Sequence, residues 1–178
     1  MELFEALKKR HSYRGAFLPR SVPKKDLEDI LDAGIRAPSG YNGQSTSFVA
    51  VDDPELLAKI AQVLSGDAVK TAPAIICVFM DGRTRPGMDF MFGVEDYAAS
   101  TENILLAITA LGYASVWIDG ALRKEGRAKQ LADLLGVPDT LELRVVLPLG
   151  APAEKRAQKE KKPFSERAWF NRYEAPKS

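Results

Sequence analysis

Cysteine and histidine each occur only once in this 178-residue chain. A single thiol excludes an intramolecular disulfide and suits a reducing compartment, so a cytoplasmic protein is expected. Cys77 and His11 lie far apart in sequence, which disfavours a zinc site or a Cys–His nucleophile pair, and no metal site is expected. Charge of one sign is also lacking. The 25 basic residues face 24 acidic ones, for a formal net charge of +1. No overall field holds nucleic acid, so any anion recognition has to be local. No apolar run reaches the roughly 20 residues of a membrane span, and no membrane partner is expected. The chain opens on an amphipathic pattern, not on a basic run followed by an apolar one, so no signal peptide is expected. No Gly-x-Gly-x-x-Gly follows a strand-like run, and no Gly-Lys-Ser/Thr loop or Ser-His-Asp set is legible. With no acid–base or nucleophile apparatus in view, the chemistry points to a borrowed cofactor.

What is present suits one domain with a real core: 46% hydrophobic and 28% charged residues. Glu2 to Lys9 reads as a short helix with Leu3, Phe4 and Leu7 on one face. A second helix starts near Pro23, carries Leu27, Ile30, Leu31 and Ile35, and stops before Pro38. Ser47 to Val51 reads as a strand, and Asp53 caps a helix whose inner face is Leu56, Leu57, Ile60 and Val63. Ala74 to Met80, with Cys77 inside it, has the unbroken apolar character of a strand buried on both faces. Asp81 to Gly93 is loop-like. Tyr97 to Leu111 reads as a long helix, apolar almost all round, which has to be covered on every side, one route being a second copy of the chain. Gly112 ends it. A strand over Ala114 to Ile118, a helix over Lys124 to Leu135 and a strand over Leu141 to Leu149 follow. The tail from Ala151 to Ser178 is lysine-rich up to Lys162 and then holds Phe164, Trp169, Phe170 and Tyr173. Four aromatics without a local core call for docking on the domain or on a partner subunit, the alternative being a partly disordered end. Two helices precede any strand, which suits an α+β sandwich better than a doubly wound sheet.

Four segments carry possible chemistry. Arg10-His11-Ser12-Tyr13-Arg14 sets two guanidiniums around a hydroxyl and an imidazole, a pattern fit for a phosphate ester. Alone it is also a basic helix end that complements the helix dipole. Ala37 to Gln44, with Pro38, Ser39, Gly40, Asn42 and Gly43, offers uncharged donors and acceptors on a small-residue backbone, as the edge of a flat heterocycle needs; alone it is also a polar turn. Trp117-Ile118-Asp119-Gly120 stands at a strand end, where ligands often sit, or is an Asp-Gly turn. Lys159-Glu160-Lys161-Lys162 supplies cations to an anion, or is a solvated basic tail.

In this order the four segments resemble the nitroreductase family of FMN-dependent oxidoreductases, over nearly the whole chain. The first looks like the family's Arg-x-Ser-x-Arg/Lys motif and the second like its Pro-Ser-x-x-Asn-x-Gln loop. Asp96 to Gly112 looks like its long dimer-interface helix, and Val146 to Pro152 like its Leu-Gly-x-Pro turn. The resemblance implies a three-layer α/β/α sandwich around a mainly antiparallel sheet. It implies one domain over residues 1–178, with 151–178 as an extended tail docking on the partner subunit of a homodimer. Arg10, Ser12 and Arg14, with His11 in the same run, would hold the phosphate and one ring edge, and Lys159 and Lys161 would complete the phosphate site. Pro38, Ser39, Gly40 and Asn42 of the other subunit would line the ring. Asp119 and Gly120, with Ile118 before them, match the place where a backbone N–H meets flavin N5, and Asp96 falls where relatives place a polar residue near the ring.

Three departures stand out. Lys161 replaces the usual arginine and brings a point charge in place of a fork. Ser45 stands where a proline usually follows the Asn-x-Gln motif. The region after Met80 is compact; Met88 to Phe92 would shape the substrate pocket, the alternative being that Phe90 to Phe92 pack in the core. The implied activity is ping-pong transfer from NAD(P)H through FMN to a small acceptor such as a nitroaromatic or quinone. Arg83 and Arg85 are the candidate groups for a 2′-phosphate on the donor. Rival readings are a non-catalytic or occluded-pocket flavin protein and, disfavoured by charge, a small anion- or RNA-binding domain.

Overall fold

The computed structural model describes residues 1–83, 92–156 and 158–173. Four strands form one antiparallel sheet in the order β1-β2-β4-β3, where β1 is Thr46–Val51, β2 Ala74–Asp81, β3 Ala114–Ser115 and β4 Leu141–Gly150. The chain enters through two helices, α1 (Leu3–Lys9) and α2 (Lys24–Ile35). Helices α3 (Pro54–Val63) and α4 (Asp67–Lys70) separate β1 from β2. Helix α5 (Gly93–Ala110) precedes β3, and α6 (Arg127–Leu134) precedes β4.

The layering follows from alternation along β2. Ile75, Cys77 and Phe79 face one side and pack with Ile60 of α3, Val69 of α4 and Leu131 of α6. Ala74, Ile76, Val78 and Met80 face the other and pack with Ile30 of α2 and Ile104 and Ile108 of α5. Every β2 residue from Ala74 to Met80 is buried, as a strand covered on both faces demands. A bulge interrupts the β2–β4 ladder between Val78 and Phe79, so that Val145 and Leu143 are the successive partners on β4. Arg144 is the extra residue. Two positions apart, Leu143 and Val145 therefore enter opposite cores. The fold is the expected α/β/α sandwich.

The expected caps and stops are present. Asp53 accepts the Leu56 N–H at 2.9 Å, with Pro54 at the first helical position. Pro23 sits immediately before α2. Three boundaries differ from the sequence reading. The expected strand 114–118 keeps only two ladder residues; Ile118 instead exchanges two hydrogen bonds with Val146, 3.1 and 2.9 Å, as an isolated bridge. The expected helix from Lys124 begins at Arg127, because Glu125 and Gly126 are left-handed (φ 55° and 67°). Asp81 closes β2 and Gly93 opens α5, so both ends of the stretch read as loop-like belong to regular elements.

Helix α5 finds most of its cover within the chain. It packs on α2, α1 and the sheet, and of its residues only Val94 and Glu95 are exposed. The tail first docks on its own chain: Leu18 N–H donates to Ala151 O (2.9 Å) and Ala153 N–H to Ala16 O (3.0 Å). Further on, Phe164, Phe170 and Tyr173 are exposed and the rings pair among themselves, Phe164 with Phe170 and Trp169 with Tyr173. No described helix is long and apolar enough to cross a membrane. Met88, Asp89, Phe90 and Met91, read as pocket-shaping or core, and Arg85 lie outside the described residues.

Candidate functional site

The first basic motif is built by a switch from helix to extended chain. Arg10 closes α1 with its N–H on Ala6 O at 2.8 Å. Ser12 then bridges to Ser115 in parallel, and Tyr13 N–H donates to Ser115 O at 2.8 Å. Extended chain alternates its side chains. Tyr13 therefore points inward, 1% exposed with its hydroxyl on Ala16 O, while Ser12 and Arg14 on either side point outward. His11 Nδ1 lies 2.9 Å from Lys9 O. That oxygen only accepts, so Nδ1 donates; Nε2 is buried and has no partner among the described residues.

Arg10, His11, Ser12 and Arg14 form one wall of a cleft of about 480 Å³, and Arg156, Gln158, Lys159 and Lys161 of the tail form the other. Gln158 ties the walls together by donating to Arg10 O at 2.6 Å. Five cations thus converge. Arg10 is paired with Glu102 (3.1 Å) and Arg156 with Glu154 (2.5 Å). Arg14, Lys159 and Lys161 form no ion pair with a carboxylate among the described residues, which leaves the cleft with a net positive surplus suited to an anion. A cleft of about 510 Å³ between α3 and α6 is as large, but its Arg127 is already paired with Glu125, which leaves Lys59 as its one cation without a carboxylate among the described residues. Charge surplus, not size, singles out the first.

Arg14 is shared with an adjoining cleft of about 320 Å³, walled by Trp117, Ile118, Asp119 and Gly120 and, opposite, by Ser65 to Val69. The Ile118–Val146 bridge turns the next amides away from the sheet. Among the described residues, neither the Asp119 nor the Gly120 N–H donates to a backbone carbonyl. The Asp119 carboxylate is held by Arg123 at 3.0 Å, and nothing lies within 4 Å of a Cβ built on Gly120. The cleft therefore offers two N–H donors without a partner among the described residues, in a wall that Arg14 shares.

The remaining sequence candidates form a separate group. Pro38, Ser39, Gly40 and Asn42 surround a short 3-10 turn, Gly40–Asn42, and wall neither cleft. Asp96, 4% exposed at the start of α5, sits beneath them and accepts from Gly40 N–H and Ser45 Oγ–H. The chain thus brings together Arg10, His11, Ser12, Arg14, Lys159 and Lys161, and next to them Ile118, Asp119 and Gly120. It does not bring the Pro38–Asn42 loop or Asp96 to them. Sequence reasoning missed Arg156, Gln158 and the Ser65-Gly66-Asp67 wall. The signals for them were the basic run beginning before Lys159 and Gly66 itself, whose φ of 114° marks a turn facing the strand end. Arg83, a candidate for a 2′-phosphate, is forked onto Asp81 through two nitrogens and is committed there.

The profile of the Nitroreductase family matches residues 7–68 and 61–151. An Archaeoglobus fulgidus protein, provisionally named an NADH dehydrogenase/NAD(P)H nitroreductase, is 35% identical over 156 residues, covering 87% of this chain and 88% of its own. A Bacillus subtilis FMN reductase [NAD(P)H] is 27% identical over 91% of this chain and 70% of its own. The structure of a provisionally named nitroreductase from Desulfovibrio desulfuricans in complex with FMN superposes with a TM-score of 0.80 at 27% identity, covering 98% and 99% of the two chains. Fold, site order and sequence agree, and the chain belongs to the nitroreductase family.

Proposed function

We propose that this protein is a flavin-dependent oxidoreductase that holds FMN, takes reducing equivalents from NAD(P)H and passes them to a small acceptor such as a nitroaromatic or a quinone. The observation that carries the reading is the joined pair of clefts: uncompensated Arg14, Lys159 and Lys161 at one end, unused Asp119 and Gly120 N–H groups at the other. A phosphate needs the first set and a polar ring edge the second, and Arg14 lies where they meet, so the residues present fit FMN. The names of the relatives and the FMN complex of a family member support it.

When bound, FMN supplies the hydride chemistry; the chain binds and orients it. Arg10, Ser12, Arg14, Lys159 and Lys161 hold the phosphate end, joined by Arg156. Arg14 places a fixed positive charge towards the ring and favours negative charge on it. The N–H groups after Ile118 orient the reactive edge. The chain works as a homodimer, in which Pro38, Ser39, Gly40 and Asn42 of one copy complete the ring site of the other. In one chain this loop stands apart from the clefts, with Tyr41 73% exposed, and Phe4 of α1 is 75% exposed nearer the motif. A cytoplasmic setting suits the free Cys77.

The test is an absorbance spectrum of the purified protein, followed under anaerobic conditions by NADPH and then NADH. Flavin bands that bleach with a nicotinamide and return with a quinone or nitroarene are expected. Bound flavin that neither donor reduces would replace this reading with a non-catalytic flavin protein, and a protein that takes up no added FMN would overturn it.

A further inference from the structure

The loop that carries Pro38, Ser39, Gly40 and Asn42 is held in a conformation its residues do not favour. Tyr41, Asn42 and Gln44 all have left-handed backbones, φ 50°, 52° and 49°, and none is glycine. Local bonds close the turn: Asn42 N–H on Ser39 O (3.0 Å), Gly43 N–H on Gly40 O (2.8 Å) and Gln44 N–H on Ser39 Oγ (3.0 Å). These bonds shape the turn but do not fix it to the domain. Asp81 N–H on Ser45 O (2.7 Å) ties the far end of the loop to β2, and the first turn of α5 adds a side-chain attachment. Asp96 Oδ1 accepts Gly40 N–H at 2.8 Å and Oδ2 accepts Ser45 Oγ–H at 2.6 Å, so one buried carboxylate grips the loop at both ends. One helical turn earlier, the Phe92 ring lies where a Gly40 side chain would go, 2.2 Å from a built Cβ. Both carboxylate oxygens face the loop, and Asp96 walls neither cleft.

We propose that Asp96 is a positioning residue: it touches no cofactor, and clamps the 38–45 loop so that its backbone is presented ready-shaped to the flavin of the partner subunit. The inference rests on the reading that this loop lines a flavin. It sets Asp96 apart from the direct binding residues with which its place in the sequence groups it.

The experiment compares three variants of the full-length protein by FMN titration, reduction potential and thermal melting. Asp96→Asn keeps both bonds, because the amide oxygen accepts Gly40 N–H and the amide nitrogen donates to the Ser45 hydroxyl. It is expected to hold FMN within about twofold of the parent at an unchanged potential. Asp96→Leu, of similar size with no polar atom, is expected to weaken FMN binding about tenfold or more, and the milder Ser45→Ala about fivefold, both with cooperative melting. A shifted potential in Asp96→Asn, or losses equal to those of Asp96→Leu, would show the charge acting on the flavin directly and overturn the clamp. Asn42→Ala is the control for the underlying reading. If it weakens FMN while Asp96→Leu does not, the clamp alone fails; if Asn42→Ala has no effect, the loop is no flavin wall and the proposal falls with that reading.

Discussion

The side-chain amide of Gln158 donates to the main-chain carbonyl of Arg10 across 2.6 Å, joining the tail to the end of the first helix over 148 residues of sequence. Lys159 and Lys161 follow directly, so this bond sets where two of the three uncompensated cations stand. One such bond contributes about 1 kcal/mol net, or about fivefold in an equilibrium. Gln158→Ala is therefore expected to weaken FMN binding about fivefold while leaving the melting temperature nearly unchanged. Flavin fluorescence quenching checks the first and circular dichroism the second. Unchanged affinity would mean that the lysines reach the cleft without the tie.

Arg14 and Arg10 are expected to respond in opposite ways when their surroundings are edited. Arg14 forms no ion pair among the described residues, whereas Arg10 is paired with the half-exposed Glu102 at 3.1 Å. A charge-assisted contact contributes about 1.5–3 kcal/mol, so Arg14→Ala is expected to raise the Kd for FMN by about 10- to 100-fold and to lower the reduction potential. Glu102→Gln frees Arg10 and is expected to tighten binding by about two- to fivefold at low salt, the gain shrinking as salt is raised. Titrations at two ionic strengths measure both.

Gly40 has no room for a side chain. A Cβ there would stand 2.2 Å from the Phe92 ring, well inside contact distance. Gly40→Ala is expected to unseat the loop at a cost of about 1–3 kcal/mol, read as about tenfold weaker FMN binding with the fold retained. Phe92→Ala in the same chain opens the space and is expected to restore part of the affinity. Failure of the second change to help would place the strain elsewhere.

The Tyr113 hydroxyl donates to Asp26 Oδ2 at 2.6 Å and pins the residue before β3 to α2. That hydrogen bond first, and partial burial second, hold the phenol above its ordinary pKa. The folded chain thus binds this proton more tightly than the unfolded chain. The stabilisation is complete below the unfolded pKa of about 10 and is lost as pH climbs through the folded value. Tyr113→Phe is expected to cost about 1 kcal/mol at pH about 7, with the gap to the parent narrowing above pH about 10. Urea unfolding at the two pH values tests the sign; a gap that widened with pH would contradict it.

Local features were legible in the sequence because their causes are local. Asp53 caps α3 from the position next to Pro54, and the unbroken run from Ala74 to Met80 announces the central strand. Long-range features were not. Arg144 looks like any strand residue, yet as the bulged position it sends Leu143 and Val145 to opposite layers. Glu125 and Gly126 delay α6 through their φ values, which composition does not encode. At the site, the types of Arg10, Ser12 and Arg14 suffice to suggest an anion. The part of Gln158 depends on a bond to a residue 148 positions away, and that of Asp96 on partners 51 and 56 positions away. The absence of proline at position 45 was visible, but not that the serine hydroxyl there meets a buried carboxylate. The apolar character of α5 suggested cover by a second copy as one route; within the chain, α1, α2 and the sheet supply much of its cover.

Cys77 lies in the middle strand with no exposed surface, and burial pushes its thiol up to about 12. A thiol that stays protonated at neutral pH and meets no solvent is a poor target for peroxide, which attacks the thiolate. Reduced flavins leak electrons to oxygen, so an enzyme of this chemistry lives beside its own oxidant. This chain presents that oxidant with no sulfenic acid to form and no resolving partner to recruit. Among the described methionines, Met80 is packed against Gly93 while Met1 is half exposed. Oxidative wear therefore starts at thioether sulfur on the surface, and the core sulfur is the last to age.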